Sequence, residues 1–312
     1  MTRSSMHKPP LLSVIMTVYN GEKFLRETLD ALFSQTFTDF ELIVCNNGST
    51  DSTQDILDSY DDSRLKVVHQ TLEKPTFGDG IRLAYSHALG EFIAVNDGDD
   101  VPLKDRFEKQ VAALKADDKT ALVCGWFDEI DEQSKYVQTC EVPSDFEGLL
   151  DAYQTANPLA HSTYMYRKSV ADAVGGYDSK YHYGSDFALV LEMIKAGWKI
   201  DVLAEVVLKL RVHSGQASNA AELSEMRAYE ACELFGEAAH LPGLSVQAKV
   251  KGRKNLAKRR IQYGFVLFSE QKCRAGLGQV LRGLSQSPFY GLSYFGFRLA
   301  CALKIIKHPV YS

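Results

Sequence analysis

Leu11-Leu12-Ser13-Val14-Ile15-Met16-Thr17-Val18-Tyr19-Asn20-Gly21 is an apolar, β-rich run that ends in a turn, and Glu22 to Phe33 follows with apolar residues at helical spacing. That strand, loop and helix unit repeats. Phe40 to Cys45 predicts a second strand, Asn46 to Thr53 a turn-rich loop and Gln54 to Tyr60 a helix. Arg64 to His69, Gly78 to Leu89 and Glu91 to Asn96 continue as strand, helix and strand. Such alternation predicts an α/β fold on a mostly parallel, right-handed open sheet with flanking helices. Ligands of these sheets bind beyond the carboxyl ends of the strands, which here carry Thr17, Tyr19 and Asn20, then Asn46 and Asn47, then Asp97 and Asp99.

Further along, the spacing predicts a helix over about Leu103 to Lys115 and a strand over Ala121 to Gly125. A less regular region up to Leu210 holds strands near Ser162 to Tyr166 and Ile200 to Leu210, with an amphipathic helix from Ser185 to Ala196 between them. From Ala220 the pattern turns helical, over Ala220 to His240, Val246 to Phe268, Cys273 to Leu284 and Phe289 to Ile306. Two domains are expected, residues 1–218 and a helical appendage over 219–312.

The net charge of −5 conceals opposite halves: residues 245–312 carry thirteen Lys and Arg against the single acid Glu270, leaving −17 for residues 1–244. A basic tail meets something anionic, nucleic acid or a membrane surface. Phe289, Tyr290, Tyr294, Phe295 and Phe297, with few charges among them, fit a lipid interface better than nucleic acid. Arg298 and Lys304 interrupt that segment, so it reads as an in-plane interfacial helix or a helix packed on the domain rather than a span. With 45% hydrophobic and 24% charged residues and no low-complexity tract, disorder, collagen and coiled coil are excluded. Six scattered cysteines without a C-x-x-C fit neither a zinc site nor a disulfide framework, and a reducing, cytoplasmic setting is expected.

Asp97-Gly98-Asp99-Asp100 directly follows a buried strand. Crowded carboxylates repel unless a cation joins them, and a hard ion such as Mg²⁺ or Mn²⁺, shared with substrate phosphates, needs only one or two protein oxygens. A solvated acidic turn is the plainer reading of the tetrapeptide by itself.

The order of the other motifs reverses that balance. Leu12 to Asn20, Phe40 to Asp51 with its Asn46-Asn47-Gly48-Ser49-Thr50-Asp51, Ala88-Leu89-Gly90-Glu91 leading into Asp97-Gly98-Asp99-Asp100, Asn157-Pro158-Leu159-Ala160-His161, Gly175-Gly176-Tyr177-Asp178 and Arg211-Val212-His213 together resemble a family-2 inverting glycosyltransferase of GT-A fold, bacterial cell-surface polysaccharide type. The resemblance implies that Thr17, Tyr19 and Asn20 line a nucleotide pocket and that Asn46 stands where the family has a carboxylate accepting a base hydrogen. It implies that Asp97 and Asp99 hold the metal, with Asp97 also near the ribose, and that Arg82 approaches the diphosphate. His213 touches metal or diphosphate, His161 lies on the acceptor side or makes a core hydrogen bond, and Asp186 is the base that takes the acceptor proton.

Departures are Asn46 and Asn47 for an acidic pair, Ile81-Arg82 for Arg-Asn, and Ser185-Asp186 for Glu-Asp. The activity implied is single displacement from a UDP- or dTDP-type sugar nucleotide to a glycan or lipid-linked glycan, at the inner face of an anionic cytoplasmic membrane. The alternative is an inactive nucleotide-sugar-binding homologue. A dinucleotide oxidoreductase is disfavoured, because no G-x-G-x-x-G follows the first strand.

Overall fold

The computed structural model describes residues 8–73, 75–216 and 225–302, the side chains of 300–302 excepted. These form two units: the described parts of Met1–Phe146 with Pro158–Ala220, and those of Glu147–Asn157 with Ala221–Ser312. The expected boundary at 218/219, the helix start at Ala220 and the helix end at Ile306 lie outside the described residues.

In the first unit, β1 (Leu12–Val18) pairs in parallel with β2 (Phe40–Asn46) and β4 (Phe92–Val95), and β2 pairs in parallel with β3 (Leu65–His69). This half is the parallel sheet that the alternation predicts. Beyond it, β8 (Met165–Arg167) runs antiparallel to β4 and to β6 (Thr120–Ile130), while β6 runs parallel to β9 (Lys199–Arg211). Two short partners complete a mixed sheet, β5 (Val101–Pro102) against β9 and β7 (Tyr136–Cys140) against β6. Every residue of β1 and β2 is buried, because helices cover both faces; hence their largely apolar sequence, broken by Ser13 and Thr17 in β1 and by Glu41 and Asn46 in β2.

The two faces differ. Leu12, Val14, Met16, Phe40, Leu42, Val44, Phe92 and Ala94 meet α1 (Leu25–Phe33), α2 (Thr53–Asp58) and α4 (Arg106–Ala116) in one core through Leu25, Leu29, Leu32, Ile56, Phe107, Val111 and Leu114. The opposite face takes α3 (Phe77–Ser86) and carries a buried polar strut. Ser13 Oγ donates to Glu41 Oε1 at 2.6 Å, and the Leu89 and Gly90 amides donate to Glu41 and Ser13 at 2.9 and 2.8 Å. Together they pin the turn before β4.

Helix α4 begins at Arg106 rather than Leu103, because Val101 and Pro102 are drawn into pairing with β9 and the Leu103 amide bonds the Val207 carbonyl. A two-residue strand has no period to detect, and exposed β7 buries no face that would impose one. Two short helices are likewise unforeseen, α5 (Phe146–Ala152) and α6 (Lys168–Ala173); α7 (Ser185–Lys195) follows expectation.

In the second unit, α8 (Glu225–Ala238), α9 (Val246–Ser269), α10 (Cys273–Gln286) and α11 (Pro288–Ala302) pack around α9. Residues 147–157, expected in the catalytic domain, group here. Gln154 Nε2 donates to the Ala238 carbonyl at 3.0 Å, and Lys251 pairs with Asp151. No helix among the described residues is long and apolar enough to cross a membrane.

Gly90 sits where a Cβ would lie 2.5 Å from the Ser13 amide nitrogen and 2.7 Å from the Leu12 carbonyl carbon. Backbone cannot yield as a side chain can, so Gly90→Ala is expected to cost about 1–3 kcal/mol in urea denaturation. An unchanged midpoint would refute this contact.

Candidate active site

The register levels the strand ends. Val18 pairs with Asn46, Ile15 pairs with Val95, and the Asn96 amide still bonds the Ile15 carbonyl at 3.2 Å. Gly98 therefore lies against Val18, and the Asp97–Asp100 turn stands beside the loops that follow β1 and β2.

Those loops are laced together. Asn20, at φ 50°, accepts the Thr50 amide on Oδ1 at 2.8 Å and donates its own amide to Ser49 Oγ at 3.0 Å. Asn46 accepts the Ser49 amide at 3.0 Å and donates to Gln54 Oε1 at 2.8 Å. Both asparagines, expected to face a nucleotide, are thus occupied in shaping the loops. Their neighbours remain available: Tyr19 is 62% exposed, and Asn47 donates to the Thr76 carbonyl while its Oδ1 is buried without a hydrogen-bond partner. Thr17 lies under α3 so closely that a Cβ on Gly80 would fall 2.1 Å from Thr17 Oγ1 and 3.0 Å from Asn47 Oδ1. In the same helix Arg82 pairs with Asp79 through Nη2, leaving Nη1 buried and unpartnered.

The acidic turn is asymmetric. Asp100 is fully engaged, accepting the Arg211 amide at 2.9 Å and the Ser162 hydroxyl. Asp99 Oδ2 lies 2.8 Å from His213 Nε2. The Gly215 amide donates to His213 Nδ1 at 3.2 Å, so the imidazole carries its proton on Nε2 and donates to Asp99. Asp97 Oδ1 is buried with no partner. Burial first, then the charges of Asp100, Asp99 and Asp186, push the Asp97 carboxyl well above its usual range. Burial and Asp99 push Asp100 up to about 7.

Asp186, in the first turn of α7, lies within electrostatic reach of Asp97. Burial and mutual repulsion are what raise these groups. Two carboxylates, one steadied by an imidazole, fit a hard divalent ion that completes its shell with phosphate and water. Among the described residues no group of three or more His, Cys, Asp or Glu is arranged to hold a metal ion, so any ion here would draw most of its shell from substrate and water.

Sequence reasoning missed Arg106. Its guanidinium is completely buried, and it donates to Asn96 Oδ1, the Val95 and Tyr164 carbonyls and Gln110 Oε1 at 2.8–3.3 Å. Burial lowers its pKa to about 9, opposed by Asp100 and Asp97. Its one sequence signal is a cation at the start of the helix after the acidic turn. Arg211, quoted only as part of a motif, is a buried tie from Asp99 O to Asp131 O, Ser134 and Glu27.

His161 lies apart from the carboxylates, among Phe77, Tyr164 and Tyr177. Tyr166 Oη donates to Tyr177 Oη at 3.2 Å, and Tyr177 in turn is 2.9 Å from His161 Nε2. Burial pushes His161 down to about 3, so the ring is neutral and Nε2 accepts.

Two outcomes follow. Arg106→Met leaves two buried carboxylates without their compensating cation and is expected to destabilise the fold by about 3–5 kcal/mol in chemical denaturation; a change below about 1 kcal/mol would refute that role. His161 binds its proton more weakly folded than unfolded. Stability is therefore lost as pH falls from about 6.5 towards 3, by up to about 1.4 kcal/mol per pH unit. His161→Gln should show a shallower acid slope than wild type over that window, and identical slopes would contradict the assignment.

Comparison with known proteins bears on this geometry. The profile of Glycosyl transferase family 2 matches residues 13–175, just over half the chain. EpsE of Bacillus subtilis, a glycosyltransferase by assignment, is 33% identical over 217 residues, 67% of this chain and 76% of EpsE. An uncharacterized glycosyltransferase of Rickettsia prowazekii is 29% identical over 228 residues, 71% and 70% of the two chains. Among solved structures, S. aureus TarS 1-349 in complex with UDP-GlcNAc superposes with a TM-score of 0.64 at 19% identity, covering 91% of this chain and 83% of TarS 1-349. The mannosyltransferase PcManGT from Pyrobaculum calidifontis, in complex with GDP-Man and Mn²⁺, gives 0.58 at 18%, covering 94% and 81%. The structures share the GT-A fold, and the profile and the sequence relatives supply the membership: this chain belongs to glycosyl transferase family 2.

Proposed function

We propose that the chain is a metal-dependent, inverting glycosyltransferase that moves one sugar from a UDP- or dTDP-type sugar nucleotide to a glycan or lipid-linked glycan in cell-surface polysaccharide assembly. The observation that carries this reading is the Asp97–Asp100 turn, whose crowded carboxylates repel one another, leave Asp97 Oδ1 buried without a partner and lie within electrostatic reach of Asp186.

In this reading Asp97 and Asp99 hold Mg²⁺ or Mn²⁺, and His213 keeps Asp99 oriented through its Nε2 hydrogen bond. The ion, when bound, neutralises the leaving diphosphate. Tyr19 offers its exposed ring to the base. Asn47 rather than Asn46 offers the base an oxygen, since the Asn46 oxygen already accepts the Ser49 amide. Arg82 Nη1 supplies a donor for phosphate.

Asp186 accepts the proton of the acceptor hydroxyl as that oxygen attacks the anomeric carbon opposite the diphosphate. The hydroxyl O–H bond breaks, the new C–O bond forms, and the old anomeric C–O bond leaves with its electron pair on the diphosphate. Anomeric configuration is thereby inverted.

Calorimetric titration with UDP, dTDP and GDP, with and without Mn²⁺, tests the reading. One nucleotide should bind with Mn²⁺-enhanced affinity, and Asp97→Asn should abolish the enhancement. Asp186→Asn should retain nucleotide binding while slowing donor turnover by about 10²–10⁴-fold. No binding of any nucleotide by the wild type would overturn the proposal. Binding with turnover unchanged in Asp186→Asn would remove Asp186 from the base role.

A further inference from the structure

The second unit contains a feature that glycosyl transfer does not use. A cavity of about 380 Å³ opens between the α8–α9 connection and the end of α10, lined by His240, Pro242, Lys249, Arg253 and Gln286 among others. The side chains of Lys249 and Arg253 form no hydrogen bond or ion pair among the described residues, and both are exposed. Carboxylates of this unit are instead paired elsewhere: Asp151 with Lys251, and Glu225 and Glu270 with Lys272. Two unpaired cations beside a histidine and an amide make a site for a phosphate group.

The cavity leads into an apolar ridge. Gln286 ends α10 three residues before Phe289, in the first turn of α11. Phe289 is 92% exposed, and Leu292 and Leu299 lie outward on the same helical face, separated only by Ser293 and Gly296. Arg298 is the sole charge in α11. On α10, Leu277 and Leu281 are exposed between Arg274 and Arg282. Apolar side chains facing water on two packed helices, with unpaired cations at their junction and one acid in residues 245–312, are complementary to an anionic lipid surface.

We propose that the second unit docks the chain on an anionic bilayer, the α11 ridge entering the interface and Lys249 and Arg253 gripping a lipid phosphate in the adjoining cavity. This deepens the membrane part of the proposed function and depends on nothing in the catalytic site, so its test uses no sugar donor.

The test is co-sedimentation of the full chain with vesicles of phosphatidylcholine alone or containing about a third phosphatidylglycerol. Wild type should bind the anionic vesicles and not the neutral ones. Lys249→Ala/Arg253→Ala should weaken that binding about thirtyfold, and Phe289→Ser/Leu292→Ser should lower it too. Lys168→Ala/Lys199→Ala, an equal loss of charge on the first unit, should leave it unchanged. Matching melting curves verify that these surface variants fold. Vesicle binding equal in wild type and Lys249→Ala/Arg253→Ala overturns the proposal. Calorimetric binding of inorganic phosphate at Lys249 and Arg253 without vesicle binding also overturns it, assigning the cavity to a soluble phosphate. Failure here leaves nucleotide binding untouched, so the two readings fall separately.

Discussion

Arg106 stands with its guanidinium wholly buried within electrostatic reach of Asp97 and Asp100, directing its donors to Asn96, Gln110 and the Val95 and Tyr164 carbonyls rather than to a carboxylate. A direct ion pair would quench one acid and release the others. Without such a pair, the guanidinium offsets part of the turn's negative potential while its own charge is satisfied by neutral acceptors. The compensation is partial: Asp97 and Asp100 remain pushed upward, and Asp97 keeps an oxygen without a partner. The fold thus holds a turn short of positive charge, a state suited to meeting a cation from solution.

Holding that turn demands a rigid surround. Arg211, 1% exposed, reaches the turn's backbone, the β6–β7 hairpin and Glu27 of α1 with one side chain. Thr28 donates to the Gly98 carbonyl at 3.2 Å, and Asn96 Nδ2 closes the turn on the Asp97 and Asp100 carbonyls. Gly80 does the same for the other wall, since only a residue without Cβ lets α3 approach Thr17 and Asn47. These ties use side chain to backbone bonds, which fix loop shape without adding apolar area that the site has no room to bury.

The parallel half of the sheet was legible because strands buried on both faces are largely apolar, as Leu12–Val18 and Phe40–Asn46 are apart from Ser13, Thr17, Glu41 and Asn46. The placement of Asp97–Asp100 after β4 and of Asp186 in the first turn of α7 was legible because both follow from where elements end and begin. The loop hydrogen bonds of Asn20 and Asn46 were not, because an asparagine that laces two loops looks in sequence like any other; only the structure brings Ser49, Thr50 and Gln54 within reach. Arg106 was hidden for the opposite reason. Composition places arginine outside, and nothing local in Asp105-Arg106-Phe107 reveals that the sheet end will close over it. Glu147–Asn157 joined the second unit through Gln154 and Asp151, contacts about a hundred residues apart that no window of sequence contains.

Charge sign links the two proposals. Residues 1–146 with 158–220, the first unit, carry a net −11, and a sugar nucleotide is itself anionic, so the first unit's field would oppose such a donor unless positive charge is concentrated where the diphosphate lies. Arg82 contributes a single orphan donor and is already paired with Asp79. In the proposed reading the remaining neutralisation would fall to an ion at Asp97 and Asp99, so that metal dependence would follow from net charge as well as from the local turn. Residues 245–312 reverse the sign, and an anionic bilayer is the partner such a surface attracts. In the proposed docking, a bilayer that attracts the basic helices would repel the acidic first unit, so the charge of each unit by itself favours the second as the one that meets lipid.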